Sequence, residues 1–497
     1  MRVHLTLIAL VAVINGCSLQ PIYQRPEAPV ASGYPSGDAY KHSATGVGGT
    51  MLPAAEIGWR DFIADARLQR LVELALYNNR DLRVAALNVE QMQAQYRVQR
   101  AQLSPQLNAF ASSSAQRTPG DLSVTGYPIT SHDYQVGLSV SWTLDFFGKL
   151  RSLRDQALQQ YFATAYARQA TEILLVSQVA DQYLTMLAYD ELMGVTRDTL
   201  QTSQESYNLV KRQFDVGTTN EQTLRQSEGI VEQARANYTG YVRLRAQAEN
   251  ALVLLIGQPL PSDLAPTVRL DDQKFLTDIP PGVPSDLLTR RPDIQQAEAN
   301  LRAANANIGA ARAAFFPDIS LTGSVGTASA TLTGLFGGGS LAWSFVPQLL
   351  APIFNAGANQ ANLDVSRLQQ DINIATYEKT IQTAFREVAD GLAARGTYSD
   401  QVASLERYAE SQRRYLEISL MRYKNGVDSY LNVLTAQANY YSAQQTLVAG
   451  RLNRVASLVD LYRALGGGWI ERTGDEPRPA TVSAPREWSP TFSDGHR

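Results

Sequence analysis

The sequence has a single cysteine, Cys17, and only four histidines among its 497 residues. One cysteine excludes an internal disulfide framework. The histidines, His4, His42, His132 and His496, stand far apart and in no ligand-spaced or triad-like pattern, and no glycine-rich phosphate loop follows a strand. The sequence therefore predicts no metal site, no cofactor and no enzymatic activity.

An excess of one charge and long apolar runs are also missing. The formal net charge is −3 and the isoelectric point is near 5.9, so the composition excludes a nucleic acid as the expected partner. Beyond the N-terminus, every apolar stretch is interrupted by charged residues or glutamine within a few positions. No transmembrane helix is predicted, and a chain of this kind can cross a membrane only as strands.

The N-terminus has the pattern of an export signal. The short basic start Met1–His4 precedes the apolar run Leu5–Ile14, which is too short to span a bilayer, and a glycine then precedes Cys17. This pattern favours a lipoprotein signal at 1–16, with acyl chains on Cys17. Each methylene of these chains that is buried in the membrane contributes about 0.8 kcal/mol to membrane binding. Residues 17–60 are then a lipid-anchored N-terminal extension. An ordinary signal peptide that contains a cysteine by chance is the alternative.

Similarity between the two halves of the chain indicates an internal repeat. Residues 79–105 resemble residues 291–317 at an offset of 212 positions. Gly217 corresponds to Gly426 at an offset of 209. One structural plan is therefore expected twice in the chain.

The repeats predict the domain boundaries. The first repeat spans 61–257 and the second spans 286–466. Six prolines make the intervening segment 258–285 a connector rather than a helix. Residues 467–497 form a C-terminal tail, and its Pro, Ser and Arg content predicts poor order.

Alternating patterns predict strands in each half. Apolar and polar residues alternate over 134–146 in the first half and over 318–325 in the second, and 106–114 and 341–353 are weaker candidates to pair with them. The chain thus offers two hairpins, or four strands. A soluble sandwich is the common alternative, but the 134–146 strand is long enough for a membrane and has aromatic residues at both ends. Several copies of the chain would have to pool their strands, because open edges are not tolerated in lipid.

Two proline-free stretches, 129–258 and 353–476, predict long helices. A helix over residues 149–215 would be roughly 100 Å long. Over 431–462 the apolar residues form two heptad seams on nearly opposite faces. Such a helix has a neighbour on each side, as in a helical cylinder; an antiparallel coiled coil in a soluble rod is the alternative.

Each predicted helical hairpin turns at a glycine-bearing corner. Glycine can end the incoming helix, and Asn220 or Ser429 can cap the outgoing one, as can their neighbours Thr219 and Asp428. The corner residues are Val216, Gly217, Thr218 and Thr219 in the first half, and Asn425, Gly426 and Val427 in the second.

Together these features resemble the TolC family of outer-membrane factors, in the OprM and CusC branch of lipoproteins that serve RND efflux pumps. The resemblance covers nearly the whole chain. The segments that carry it are 14–18, 144–148, 284–294, 310–317, 352–357 and 464–469.

The resemblance implies a homotrimer of mixed fold, in which a twelve-stranded transmembrane β-barrel is continuous with a long periplasmic α-helical barrel. It implies an exit duct for drugs or other small compounds, held in outer-membrane lipid. The two corners would contact a periplasmic adaptor that is bound to an inner-membrane RND pump. Copper or silver efflux is the alternative, but the six methionines form no cluster and favour organic cargo.

The resemblance also implies a channel gate near the corners, made of one apolar and one acidic ring. By position, Leu431 matches the apolar ring, whereas the acidic positions fall on Thr435 and Asn432. Asp428, nearer the corner, is the local carboxylate that can substitute. The predicted gate is therefore Asp428, Leu431, Asn432 and Thr435.

Overall fold

The computed structural model describes residues 18–40, 52–277, 279–280 and 282–475. Cys17 and the predicted signal lie outside the described residues. The described chain is mostly helical and contains one sheet. Within it, no helix is both long and apolar enough to cross a bilayer.

Apart from an additional short helix at the start of the first half, the two halves have the same order of elements. The first half contains α1 (Trp59–Phe62), α2 (Ala66–Asn78), α3 (Arg80–Ala101), β1 (Gln106–Thr118), β2 (Ile129–Leu144), α4 (Lys149–Asp215) and α5 (Glu221–Ile256). The second contains α6 (Pro284–Arg290), α7 (Pro292–Ala313), β3 (Asp318–Ser329), β4 (Leu341–Leu350), α8 (Ala358–Lys424) and α9 (Tyr430–Ala464). Helices α4 and α8 each have 67 residues. The predicted internal repeat is confirmed.

The strands form a single antiparallel sheet in the order β1-β2-β3-β4. Strand β2 pairs with β3, so the hairpin of one half continues the hairpin of the other, with Val140 opposite Gly323. The predicted four strands are confirmed, although β2 begins at Ile129 rather than at 134. The sheet exposes apolar side chains, and Trp343 and Phe345 of β4 are 75% and 62% exposed.

The chain forms two compact units, each assembled from separate stretches of sequence. The first unit consists of the described residues within Met1–Glu27, Val89–Thr164 and Gln296–Glu378, and it holds the sheet. The second consists of the described residues within Ala28–Asn88, Ala165–Gln295 and Lys379–Arg497, and it holds both helical corners.

The start of the C-terminal tail is part of the second unit's core. The main-chain N–H of Trp59 donates to the carbonyl of Ile470 at 2.9 Å. Nearby, the rings of Phe62 and Tyr462 stack at 4.0 Å. The prediction of a poorly ordered tail is therefore wrong for residues 467–475, because main-chain hydrogen bonds replace the water that a polar tail would otherwise bind.

Helix α9 has neighbours on two sides, as the heptad seams predict. The Tyr441 hydroxyl lies 3.0 Å from the Thr196 hydroxyl of α4. Gly450 lies nine positions after Tyr441 and therefore on the opposite face of α9. A Cβ at Gly450 would lie 2.7 Å from Leu405 of α8. The prediction that α9 packs against neighbours on two sides is confirmed. The prediction that the first seam begins at Leu431 is wrong, because this side chain is 57% exposed.

Candidate functional site: the corners of the helical hairpins

The first corner is a glycine turn with a polar cap. The N–H of Thr218 donates to the carbonyl of Gln213 at 2.8 Å, which closes the end of α4, and Gly217 has a φ of +75° that favours glycine. The side chain of Asn220 accepts a hydrogen bond from the N–H of Thr223 at 2.9 Å and so begins α5. The predicted cap at Asn220 is confirmed.

The second corner repeats this turn but differs in its polar contacts. The N–H of Val427 donates to the carbonyl of Arg422 at 2.9 Å, and Gly426 has a φ of +69°. Ser429 occupies the position before α9, but its side chain makes no cap hydrogen bond. Asp428 instead pairs with Arg422, with 2.6 Å between Nε and Oδ2.

The ion pair follows from the turn itself. Because the bond to the Arg422 carbonyl folds the chain back, residue 428 lies beside residue 422. The equivalent residues of the first corner, Gln213 and Thr219, carry no charge. The side chains of Arg422 and Asp428 are 52% and 27% exposed, so the pair contributes on the order of 0.2–1 kcal/mol. Sequence analysis missed this pair, although opposite charges flanking Gly426 were the available signal.

Behind the corners, the four long helices share a hydrophobic core. The Tyr423 hydroxyl of α8 donates to the side-chain oxygen of Gln213 in α4, which joins the two hairpins. Burial raises the pKa of Tyr430 to about 12, so its phenol stays neutral. The buried members of this core are Val210 of α4, Leu224 of α5, and Tyr430, Val433 and Leu434 of α9.

The predicted adaptor contacts lie at the surface of the two corners. Val216 is 73% exposed and Val427 is 60% exposed. No heavy atom lies within 4 Å of the Cβ position at Gly217 or Gly426, so each corner is open to a partner. Thr218 and Asn425 are also exposed, and Thr219 is half-buried.

The predicted gate residues divide into two groups. Leu431, Asn432 and Thr435 lie together on one exposed face of the first turns of α9. The Thr435 hydroxyl donates to the carbonyl of Leu431 at 3.0 Å and is therefore engaged within its own helix. Asp428 lies before the helix, half-buried beside Arg422. In the described ranges, no three or more His, Cys, Asp or Glu side chains are grouped so as to hold a metal ion.

Long paired helices, glycine corners and a strand hairpin in each half define a class of outer-membrane channel proteins. The family "Outer membrane efflux protein" matches residues 71–258 and 283–467, and this chain belongs to that family. The resemblance seen in the sequence is thereby confirmed.

Individual relatives match almost end to end. The toluene efflux pump outer membrane protein TtgC of Pseudomonas putida is 48% identical over 483 residues, which cover 97% of this chain and 99% of the relative. The outer membrane protein OprJ of Pseudomonas aeruginosa is 45% identical over 466 residues, covering 94% and 95%. The solvent efflux pump outer membrane protein SrpC of Pseudomonas putida is 48% identical over 458 residues, covering 92% and 96%.

Solved structures have the same fold. The open state of the Neisseria gonorrhoeae MtrE outer membrane channel aligns with a TM-score of 0.81 at 40% identity, over 92% of this chain and 100% of that chain. The Campylobacter jejuni CmeC outer membrane channel aligns with a TM-score of 0.83 at 28% identity, over 93% and 96%.

Proposed function

We propose that this protein is the outer-membrane exit duct of a three-component efflux system of the RND type, and that it catalyses no reaction. It takes small organic compounds from a periplasmic adaptor and an inner-membrane pump and releases them outside the cell. The observation that carries this proposal is the four-stranded sheet, in which, among the described residues, β1 and β4 have no second partner strand and apolar side chains are exposed.

Strand edges of this kind require other copies of the chain. In a bilayer, each unpaired main-chain N–H or carbonyl costs several kcal/mol, so the sheet must close on itself. Three chains supply twelve strands, since each brings four. A twelve-stranded barrel is wider than barrels of about eight strands, whose interior is filled by side chains. A homotrimer with such a barrel, continuous with a helical barrel, therefore suits the passage of small compounds.

The gate of this trimer is an uncharged constriction. In the trimer, the three copies of Leu431 and of Thr435 face one another across the channel axis. Because residues 432 and 435 are Asn and Thr, these positions form no ring of carboxylates. Arg422 compensates the charge of Asp428, so the constriction attracts cations weakly. The adaptor contacts the exposed valines of the two corners, Val216 and Val427.

The cargo is organic rather than metallic. Relatives at 48% identity are named for the efflux of toluene, solvents and antibiotics. These names support small organic compounds over copper or silver for this chain as well. The protein is held in the outer membrane by acyl chains on Cys17, and most of its helical part lies in the periplasm.

Deletion of the gene tests this function. We expect the deletion strain to become several-fold more sensitive to toluene and to unrelated lipophilic antibiotics, and the wild-type gene to restore resistance. A variant at an exposed helical position, Arg225→Gln, should complement equally well and serves as the matched control. Unchanged susceptibility to every organic compound, with expression verified in the parent, would contradict the proposal. Increased sensitivity to copper and silver alone would favour the metal alternative.

Labelling with a radioactive fatty acid tests the anchor. We expect label on the wild-type protein and none on Cys17→Ser. Label that persists on Cys17→Ser would remove the lipid anchor from the proposed function.

A further inference from the structure

The sheet contains one complete junction between the two halves of the chain, the pairing of β2 with β3, which we call the internal junction. Among the described residues, the edge strands β1 and β4 pair on one side only. Each edge therefore presents main-chain N–H and carbonyl groups without a strand partner. Because the two halves share one plan, the internal junction shows how the end of one half pairs with the start of another.

The direction of the N–H groups at both edges follows from one hydrogen bond. The N–H of Ala328 donates to the carbonyl of Ser340 at 2.9 Å, so the even-numbered residues of β3 bond to β4. This direction alternates from residue to residue along a strand. With the observed registers, the odd-numbered residues of β1 and of β4 therefore direct their main-chain groups to the free edges. Pro347 of β4 is one of them, so its missing N–H costs the sheet no hydrogen bond.

Fixed sequence offsets relate the two hairpins of the sheet. Gln106 faces Ser141 just as Asp318 faces Leu350, so β1 corresponds to β3 at an offset of 212 and β2 to β4 at an offset of 209. In the internal junction, residue 139 faces residue 324. Adding 209 to the first number and subtracting 212 from the second places Gln348 opposite residue 112 of the next chain.

This register also satisfies the hydrogen bonds at the two edges. It pairs odd-numbered residues of β4 with odd-numbered residues of β1, so that the edge-directed groups of the two strands meet. A slip of one residue would place edge-directed groups opposite groups that already bond within their own sheet. Slips of two residues keep the bonding pattern, and the comparison with the internal junction excludes them.

The helices that follow the sheet support the same pairing. Ser152 of α4 is buried, and its Oγ lies 2.5 Å from the Cβ position of Gly309 in α7, so α7 covers that face of α4. Val365 and Leu368, on the equivalent face of α8, are 64% and 60% exposed. Gln156, the equivalent of Val365 in α4, is half-buried. An apolar face of α8 is thus exposed where α4 is covered, and the equivalent of α7 in a second copy, α3, would cover it.

We propose that β4 of one chain pairs with β1 of the next in the register of the internal junction, so that Gln348 faces Ser112 of the next chain. We call this pairing the interchain junction. The inference rests on the homotrimer of the proposed function and adds which strands and which residues meet between its chains.

The interchain junction differs from the internal one at two pairs. Pro347 takes the place of Leu138 and has no N–H, so the interchain junction has one hydrogen bond fewer. Gly137 faces Gly326 in the internal junction, whereas Val346 and a serine take their places between chains. We expect wider strand spacing at that pair, and the test therefore uses the pair two residues away.

Disulfide crosslinking in the full-length protein tests the register. Gln348→Cys and Ser112→Cys are combined in one chain, and outer membranes are oxidised before denaturing electrophoresis without reductant. Directly opposite residues of this kind, which share no hydrogen bond, have Cα atoms about 4.5 Å apart, within the reach of a disulfide. Because each chain carries one new thiol for each of its two neighbours, we expect covalent trimers.

Shifted pairs are the matched controls. Ser114→Cys or Phe110→Cys, each combined with Gln348→Cys, places the thiols on diagonal neighbours about 7–8 Å apart, beyond the reach of a disulfide. We expect at least about tenfold less covalent trimer from these pairs. Ser139→Cys with Ser324→Cys, the equivalent pair of the internal junction, should form a disulfide within one chain and no larger species. The single substitutions reveal any link through the native cysteine.

Each outcome decides a different claim. Covalent trimers from the 112 and 348 pair, and not from the shifted pairs, support the register. Covalent trimers from a shifted pair overturn the register and leave the homotrimer intact. If no pair links chains, although the internal pair does form and native mass spectrometry finds three chains together, the pairing of β4 with β1 is overturned. A protein that is monomeric by mass spectrometry and forms no covalent trimer overturns the proposed homotrimer as well.

Discussion

The side-chain amide of Asn79 donates to the main-chain carbonyl of Leu255 at 2.9 Å, at the end of helix α5. Arg291, its equivalent in the second repeat, donates to the carbonyl of Ala464 at 2.8 Å, at the end of α9. Both halves thus close the same helix end from the same position, but with different side chains. Arg291 also pairs with Glu387 at 3.0 Å, so the second closure is charged as well as buried.

Loss of Arg291 should destabilise the protein more than loss of Asn79. Arg291 is 6% exposed, and Arg291→Met removes the donor to the Ala464 carbonyl, which costs about 1–3 kcal/mol, and in addition breaks the ion pair with the half-buried Glu387. Asn79→Ala leaves an unsatisfied carbonyl and costs about 1–3 kcal/mol. The apparent melting temperature in detergent, followed by tryptophan fluorescence, measures both. Arg413→Met, in a surface ion-pair cluster, is the control and should have no measurable effect. Equal effects of the three substitutions would refute this account of the helix ends.

Breaking the Arg422–Asp428 pair should loosen the second corner. Arg422→Gln removes an interaction of about 0.2–1 kcal/mol, which corresponds to up to about a fivefold change in an opening equilibrium. We expect a higher frequency of open events in planar bilayers, and the effect should shrink at high salt because the pair is partly exposed. Exchanging the charges, as Arg422→Asp with Asp428→Arg, should restore the wild-type frequency. If the exchanged protein behaves like Arg422→Gln, the pair does not hold the corner.

Alanine at either corner glycine should strain the turn. Gly217→Ala and Gly426→Ala place a side chain at positive φ, which costs roughly 1–2 kcal/mol, although nothing obstructs the Cβ. Faster cleavage at the corner by a protease would report the strain. Gly229→Ala, inside α5 and equally unobstructed, should instead be neutral or slightly stabilising. Protease resistance unchanged at both corners would count against the glycine turns.

Asp181 should make stability depend on pH. Burial raises the pKa of Asp181 from its ordinary 3.8 to about 7, with nearby Asp460 adding to the effect and Arg463 opposing it. Its Oδ1 is buried without a hydrogen-bond partner. Because the folded state holds the proton more tightly than the unfolded chain, this contribution to stability is present below about pH 4 and is lost as the pH rises through about 7.

Asp181→Asn should therefore stabilise the protein, and by more at pH 8 than at pH 5. The difference between a pKa of 3.8 in the unfolded chain and one of about 7 in the folded protein corresponds to at most roughly 4 kcal/mol in the free energy of unfolding. Melting temperatures at the two pH values measure it. The control is Asp390→Asn, at the equivalent exposed position of the second repeat, which should change both temperatures alike. A parallel shift for Asp181→Asn would show that the carboxyl does not titrate in this range.

Local patterns predicted the elements well. The helix over 149–215 has the predicted bounds, because a proline-free run of helix formers ends at a glycine corner and both signals are local in sequence. The four strands were also predictable from alternation. The pairing of β2 with β3 was not, since it joins residues almost 200 positions apart and no local signal records it.

The parts that the sequence did not predict depend on long-range contacts. The segment Ser18–Glu27 has no periodicity, and Glu298, the ion-pair partner of its Arg25, lies on α7 some 270 residues away. Residues 467–475 look like a tail by composition, yet they bind the segment that starts at Gly58. At the corners, Gly217 and Gly426 were predictable, whereas the pairing of Asp428 with Arg422 required the turn geometry.

The proposed duct joins three chains, each of which supplies four strands. Native mass spectrometry of the full-length protein, extracted in mild detergent, distinguishes this trimer from a monomer. With a chain mass of 54.5 kDa, we expect one dominant species that contains three chains. A dominant monomer that still conducts ions in a planar bilayer would contradict it.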